Sequence, residues 1–281
     1  MVVSAVINSL LSGETVAGSR ISAKMLEEFM SEGLLTVIVR GSRKSYRARN
    51  IESLRRYLVD KDERYKRLYK ESFTSRASMA ADTGNSKIVM VRTCPGFPVN
   101  SYEQIDCSLN GIPFVVKPQE GSFLFVTDWQ NFEIPKEVLV IGIENVENFR
   151  MIRNQRKFLE NFLKKRGLPQ KVLFVSRYPQ STDLRNWLRK IPNHYLHFGD
   201  FDLAGINIFI SEFMQFIGPE RSSFLIPEDV SDRIRYGSSQ RYDEQYNRFK
   251  NVKSENEELQ QLIDLINQER KGYDQEGYIV F

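Results

Sequence analysis

The chain has 281 residues, 41% hydrophobic and 27% charged, with a net charge of +4, enough for one large or two modest globular domains and too apolar for a disordered chain. No apolar run approaches the roughly 20 residues that a membrane span needs. Two cysteines and two histidines argue against a thiolate zinc site and a disulfide framework, so a catalytic metal would rest on carboxylates.

The N-terminal segment, MVVSAVINSLLSGE, lacks the basic start and small-residue cleavage site of a leader peptide. It reads as an amphipathic helix, Val3 to Leu11, and a reducing cytoplasm is the expected setting. A second helix is predicted over Ser22 to Ser31, capped by Ser19 or Ser22 and stopped by Gly33. A β-rich run from Leu34 to Val39 then turns at Arg40-Gly41-Ser42-Arg43-Lys44 and returns through Tyr46 to Arg49. This order of elements reads as a winged helix-turn-helix. Arg40, Arg43, Lys44, Arg47 and Arg49 on the hairpin are candidate phosphate contacts. Between Thr36 and Arg76 there are thirteen Lys/Arg against five Asp/Glu, a local net of +8, which suits a polyanion. A solvated charged face and a protein-interaction module are the competing readings. A long charged helix from Ile51 to about Glu71 closes this first stretch, 1–73.

The middle stretch, 74–133, is β-rich. Strands are predicted at Lys87–Val91, Ile105–Leu109, Ile112–Val116 and Ser122–Val126, with Asn110-Gly111 as a two-residue hairpin turn. It carries no legible chemistry; packing or support for a dimer contact is its expected role. From Ile134 onward strands and helices alternate. Buried apolar strands at Val138–Ile143, Val172–Val175, Tyr195–Phe198 and Phe224–Ile226 are separated by helices over about 148–166, 183–189 and 203–216. That alternation predicts an α/β domain, 134–281, with a doubly wound parallel sheet flanked by helices. A last helix is expected behind Ser254-Glu255-Asn256-Glu257, ending at Gly272.

Three acids stand at strand ends in this last stretch. Glu144 follows the first buried strand; Asp200 and Asp202 follow the third, where alternation along an extended segment puts both on one side. Function in open α/β sheets gathers at the carboxyl ends of the strands. Converging carboxylates repel one another without a cation, and hard oxygen donors select Mg²⁺, with Mn²⁺ as a substitute. Arg177, at the end of the second strand, is placed to offset phosphate charge. The competing reading makes these acids helix caps, Asp202 above all.

Ile143-Glu144-Asn145-Val146-Glu147-Asn148-Phe149 and Gly199-Asp200-Phe201-Asp202-Leu203-Ala204-Gly205 resemble the motifs of the Toprim fold. Within it they resemble those of the JetD/MksG nuclease subunits of Wadjet-type SMC defence systems, a branch shared with topoisomerase VI A subunits. Asp274-Gln275-Glu276 is similar to a Glu-Gln-Glu-like segment near the C-terminus of that family, which makes Glu276 a candidate accessory acid. The resemblance spans about Val138 to Phe281. It implies Mg²⁺-dependent cleavage of double-stranded DNA, a homodimer, and SMC-like, kleisin-like and kite-like partner chains. The chain is shorter than usual for that family, which touches the partnership more than the chemistry.

Topoisomerase VI-like relatives attack DNA with the second tyrosine of a Tyr-Tyr pair, which this chain lacks. Tyr46, in the hairpin, reads as a strand aromatic, so hydrolysis by water is the expected reaction. A tyrosine transesterase and a non-catalytic DNA-binding module stay open as alternatives.

Overall fold

A computed structural model describes residues 5–41, 43–61 and 94–280. The chain divides into two compact units, Met1–Cys94 and Pro95–Phe281. The predicted strand at Lys87–Val91 and the helix beyond Lys61 lie outside the described residues.

In the first unit, helices α1 (Ala5–Leu11), α2 (Ala23–Ser31) and α3 (Ile51–Lys61) accompany strands β1 (Val16–Ala17), β2 (Leu35–Arg40) and β3 (Arg43–Ala48). Ser22 caps α2, its hydroxyl accepting from the Met25 amide at 3.3 Å, and the chain leaves α2 through Gly33 at φ 66°. The strands form one antiparallel sheet in the order β1-β3-β2. Ile7, Leu10, Phe29, Leu35, Tyr46, Leu54 and Leu58 make its core. Tyr46 is thus a buried strand aromatic.

The second unit is mixed α/β. Its main sheet has six strands in the order β12-β11-β9-β10-β4-β7: β4 (Phe97–Ser101), β7 (Leu124–Val126), β9 (Leu139–Ile143), β10 (Val172–Ser176), β11 (Tyr195–Phe198) and β12 (Ser222–Phe224). The four later strands are parallel, while β4 and β7 join antiparallel at one side. The sheet is therefore mixed, where a parallel one was expected. The difference arises because strands of the middle stretch complete the sheet of the last. Phe97 and Val99 of β4 are fully buried in the same core as β9 and β10. The remaining middle strands, β5 (Ile105–Leu109), β6 (Ile112–Val116) and β8 (Phe132–Glu133), form a small antiparallel sheet. Asn110 and Gly111 turn its hairpin with φ of 55° and 74°, as a two-residue loop requires.

Helices α4 (Val146–Arg150) and α5 (Arg156–Lys165) connect β9 to β10, with a 3₁₀ turn between them; α6 (Thr182–Lys190) connects β10 to β11. The helix expected over 203–216 is α7 (Leu203–Ile208), a π-helical segment (Phe209–Met214) and α8 (Gln215–Ile217). Beyond β12 lie α9 (Val230–Arg235) and α10 (Ser239–Phe249), which the sequence reading did not assign, and α11 (Glu257–Glu269). α11 is capped by Asn256, whose Oδ1 accepts from Leu259 N at 3.0 Å; Ser254, expected as the cap, accepts from Asn256 N instead. Arg270, not Gly272, ends the helix, in left-handed conformation. Among the described residues no helix is long and apolar enough to cross a membrane.

Candidate metal site

β9 pairs with β10 on one side and β11 on the other, so the chain first winds outward to β10 and then crosses back to β11. The reversal opens a crevice beyond the carboxyl ends of β9 and β11, where ligands of open α/β sheets bind. Glu144 leaves β9 there and Asp200 and Asp202 leave β11. The Glu144 amide donates to Phe198 O at 3.0 Å, which keeps the two exits side by side. Glu144, Asn145, Arg177, Tyr178 and Asp200 line one cleft of about 380 Å³.

Glu144 is held from below. Its Oε2 lies 3.3 Å from His197 Nε2, and His197 Nδ1 lies 2.8 Å from the Tyr195 hydroxyl. His197 is 1% exposed, its ring enclosed by Phe209, Phe213 and Phe224. Burial first, and then the Glu144 charge, push the Tyr195 hydroxyl well above its usual pKa, so it stays protonated. A carboxylate only accepts, so His197 Nε2 donates to Glu144 and Nδ1 accepts from Tyr195. Two glycines leave the room this needs. A Cβ on Gly142 would collide with the Tyr195 hydroxyl, and one on Gly199 would lie 2.5 Å from Glu144 Oε2. Gly199 is thus needed for clearance at the end of β11.

Arg177 comes from the end of β10 to the same cleft. One of its nitrogens is 3.4 Å from Glu144 Oε1, and another is 3.2 Å from Glu212 Oε1. Glu212 belongs to the π-helical segment, a form that recurs inside helices at functional sites. Its Oε2 is buried without a hydrogen-bond partner.

Asp200 faces the cleft, with Oδ1 accepting from Gln275 N at 2.9 Å. Burial pushes its pKa up to about 7; the Gln275 hydrogen bond opposes this, and Asp202, Glu144 and Glu276 add to it. The charges of the other three expected acids thus act on Asp200. Asp202 is 2% exposed and does not line the cleft. Its Oδ1 caps α7 by accepting from Gly205 N at 2.7 Å, and its Oδ2 accepts from Gln245 Nε2 at 2.8 Å and Arg241 at 3.3 Å. The helix-cap reading of Asp202 holds for Oδ1, while Oδ2 is taken by side chains of α10.

The Asp274-Gln275-Glu276 segment closes the site. Gln275 is fully buried; its side chain accepts from Asn145 N at 3.0 Å and donates to Phe198 O at 3.1 Å, tying the exits of β9 and β11 together. Glu276 Oε1 accepts from Asn145 Nδ2 at 2.5 Å, and Asp274 accepts from Arg241 at 2.7 Å. His197, Glu212, Arg241, Gln245 and Gln275 were not read as functional. Only His197 had a local signal: it shares with Tyr195 one face of a strand that ends at Gly199-Asp200.

Among the described residues no group of three or more His, Cys, Asp or Glu is arranged as a metal cage. Two cleft-facing carboxylates, Glu144 and Asp200, still fit Mg²⁺, which is commonly held by one or two carboxylates with water and substrate phosphate completing its shell. The clearance left by Gly199 over Glu144 is consistent with that use.

In the first unit Arg40, Arg43, Lys44, Arg47 and Arg49 are all exposed. Arg40 pairs with Arg43 and Thr36 with Arg47, which places the three arginines on one face of the hairpin. Like charges directly opposite across a ladder are destabilising; a polyanion would relieve that.

Over residues 98–280 the chain matches the model of a family described as a domain of unknown function (DUF7281). No curated protein matches the chain.

Proposed function

The chain belongs to the DUF7281 family, and we propose that it is a Mg²⁺-dependent endonuclease that hydrolyses phosphodiester bonds of double-stranded DNA. The observation that carries this reading is the convergence of Glu144 and Asp200 on one cleft at the crevice between β9 and β11. The second unit is read as a Toprim-type domain and the first as a winged helix-turn-helix, in keeping with the motif resemblance. A cytoplasmic homodimer acting with SMC-like, kleisin-like and kite-like chains belongs to the same reading and rests on that resemblance alone.

Glu144 and Asp200 would hold the metal, with Glu276 close by. Bound there, Mg²⁺ would supply a Lewis acid for the scissile phosphate and ease deprotonation of the attacking water. The chain's own residues do the rest. His197 orients Glu144 through its Nε2 hydrogen, and Tyr195 holds His197 in that tautomer. Arg177 offers its guanidinium to phosphate charge while Glu212 steadies it. Gln275 fixes the spacing of the two strand exits from which both acids project. On the first unit, the exposed arginines of the β2–β3 hairpin contact backbone phosphates without reading sequence.

The purified protein, alone or with its partner chains, is expected to nick supercoiled plasmid in Mg²⁺ or Mn²⁺. The Glu144→Ala variant is expected to fall to background. Cutting that persists in Glu144→Ala or in excess chelator would remove the proposal. One feature favours a transesterase as the second reading: Tyr178, 60% exposed, lines the same cleft. The same digest on denaturing gels separates the two. Free DNA ends support hydrolysis, and protein left covalently on the DNA, absent in Tyr178→Phe, supports attack by tyrosine.

A further inference from the structure

The Arg241 guanidinium bridges both acids of the Asp-x-Asp element and Asp274. One of its nitrogens lies 3.1 Å from Asp200 Oδ2, 3.3 Å from Asp202 Oδ2 and 2.7 Å from Asp274 Oδ1. An arginine side chain keeps its charge at any working pH, so three carboxylates here surround a permanent cation. The helix that carries it, α10, is anchored on Asp202 a second time. Gln245, four residues on and therefore on the same helical face, donates to Asp202 Oδ2 and accepts from Ala204 N at 3.2 Å. The N-terminus of α10 is pinned by Ser238, whose backbone bridges to Gly272, and a Cβ on Gly272 would press on Asp202 Cβ at 2.7 Å. Arg241 is held by its own helix and by the C-terminal segment at once.

Two-metal phosphodiesterases place their ions about 3.5–4 Å apart, each bridged by carboxylate oxygens. Here the oxygens available for bridging divide in two. Glu144 and Asp200 face the cleft, while Asp202 Oδ2 and the second oxygen of Asp200 are engaged by a guanidinium. A divalent ion beside that guanidinium would meet strong like-charge repulsion in a partly buried site. We propose that Arg241 is a resident counter-cation that takes the place of a second metal, so that each chain binds a single divalent ion, on the Glu144–Asp200 side. Arg241 is then a positioning residue: it fixes Asp202 and Asp274 and neutralises the charge that a second ion would otherwise balance. The inference rests on the metal-dependent reading above and narrows it.

Mn²⁺ binding to the full chain, counted by calorimetry and by electron paramagnetic resonance, tests this without reference to cleavage. The wild type is expected to bind one Mn²⁺ per chain, and Arg241→Met, checked for a native circular dichroism spectrum, two. Arg241→Lys, which keeps a cation in place, is expected to bind one. A wild type that binds two ions, or a folded Arg241→Met that still binds one, overturns the inference and leaves the metal-dependent reading intact. A wild type that binds none overturns both. Should Arg241→Met not fold, anomalous scattering from Mn²⁺-soaked wild-type crystals decides. One peak beside Glu144 and Asp200, with Arg241 still on Asp202 and Asp274, supports the assignment. A second peak, or Arg241 swung away from the acids, defeats it.

Discussion

Each of the three strand-end acids is backed by a glycine that a larger residue could not replace without moving it. Gly199 clears Glu144 Oε2, Gly205 packs on the Asp200 carbonyl and Gly272 packs on Asp202 Cβ. The acids nevertheless have different chemical fates. Asp200 is the group with the informative titration, its pKa raised from 3.8 to about 7, mainly by burial. Arg241, 3.1 Å from its Oδ2, acts in the opposite sense, so the shift is carried by desolvation and by the neighbouring carboxylates. A folded-state pKa above the unfolded one means that the native state binds the extra proton. The contribution of Asp200 to stability is complete below its unfolded value and is lost as pH rises through about 7. The melting temperature of the metal-free protein is therefore expected to fall between about pH 4 and about pH 7, and Asp200→Asn to flatten that fall. Thermal scans of the two proteins across this range check it; parallel curves would show that Asp200 is not the titrating group.

Among the elements, the crevice between β9 and β11 depends on a segment far away in sequence. Gln275 joins Asn145 N to Phe198 O, and its own amide donates to Asp200. Behind it, buried Asn148 donates to Gln275 O and to Gln155 Oε1, both at 2.9 Å. Truncating Gln275 takes the acceptor from the partly buried Asn145 amide, leaves Phe198 O with the Glu144 amide alone and opens a cavity. Gln275→Ala is expected to cost about 2–4 kcal/mol of unfolding free energy, measured by urea denaturation. A cost under about 0.5 kcal/mol, the level of an ordinary surface substitution, would show that the clasp carries no strain-bearing role. The π-helical segment has a comparable function across the sheet: it brings Phe209 and Phe213 against His197 and Glu212 to Arg177.

For the whole molecule, the proposed function divides DNA affinity and metal binding between separate units. The exposed hairpin arginines belong to Met1–Cys94, and the acids to Pro95–Phe281. Replacing Arg40, Arg43 and Arg47 together by alanine is expected to weaken DNA binding uniformly across sequences. If each makes one phosphate contact, the slope of log K against log salt falls by about 2.7, with Mn²⁺ stoichiometry unchanged. Fluorescence anisotropy with labelled duplexes over a salt series measures this; an unchanged slope would remove the hairpin from the DNA-binding surface.

Local signals carried much of this far. Apolar runs located β9, β10 and β11 to within a residue or two, Asn110-Gly111 marked its hairpin, and the strand-end positions of Glu144 and Asp200 pointed to one sheet edge, because these features depend on neighbours in sequence. The role of Asp202 was not decidable in that way. An Asp before a helix caps or ligates according to what faces its second oxygen, and here that is Arg241 and Gln245 from α10, about forty residues on. The antiparallel half of the main sheet was hidden for the same reason, since a strand's partner is chosen by where its buried face finds cover. Residue type and order set which acids were available to the site; long-range packing set which of them line the cleft and which of their oxygens are held by a cation of the chain's own.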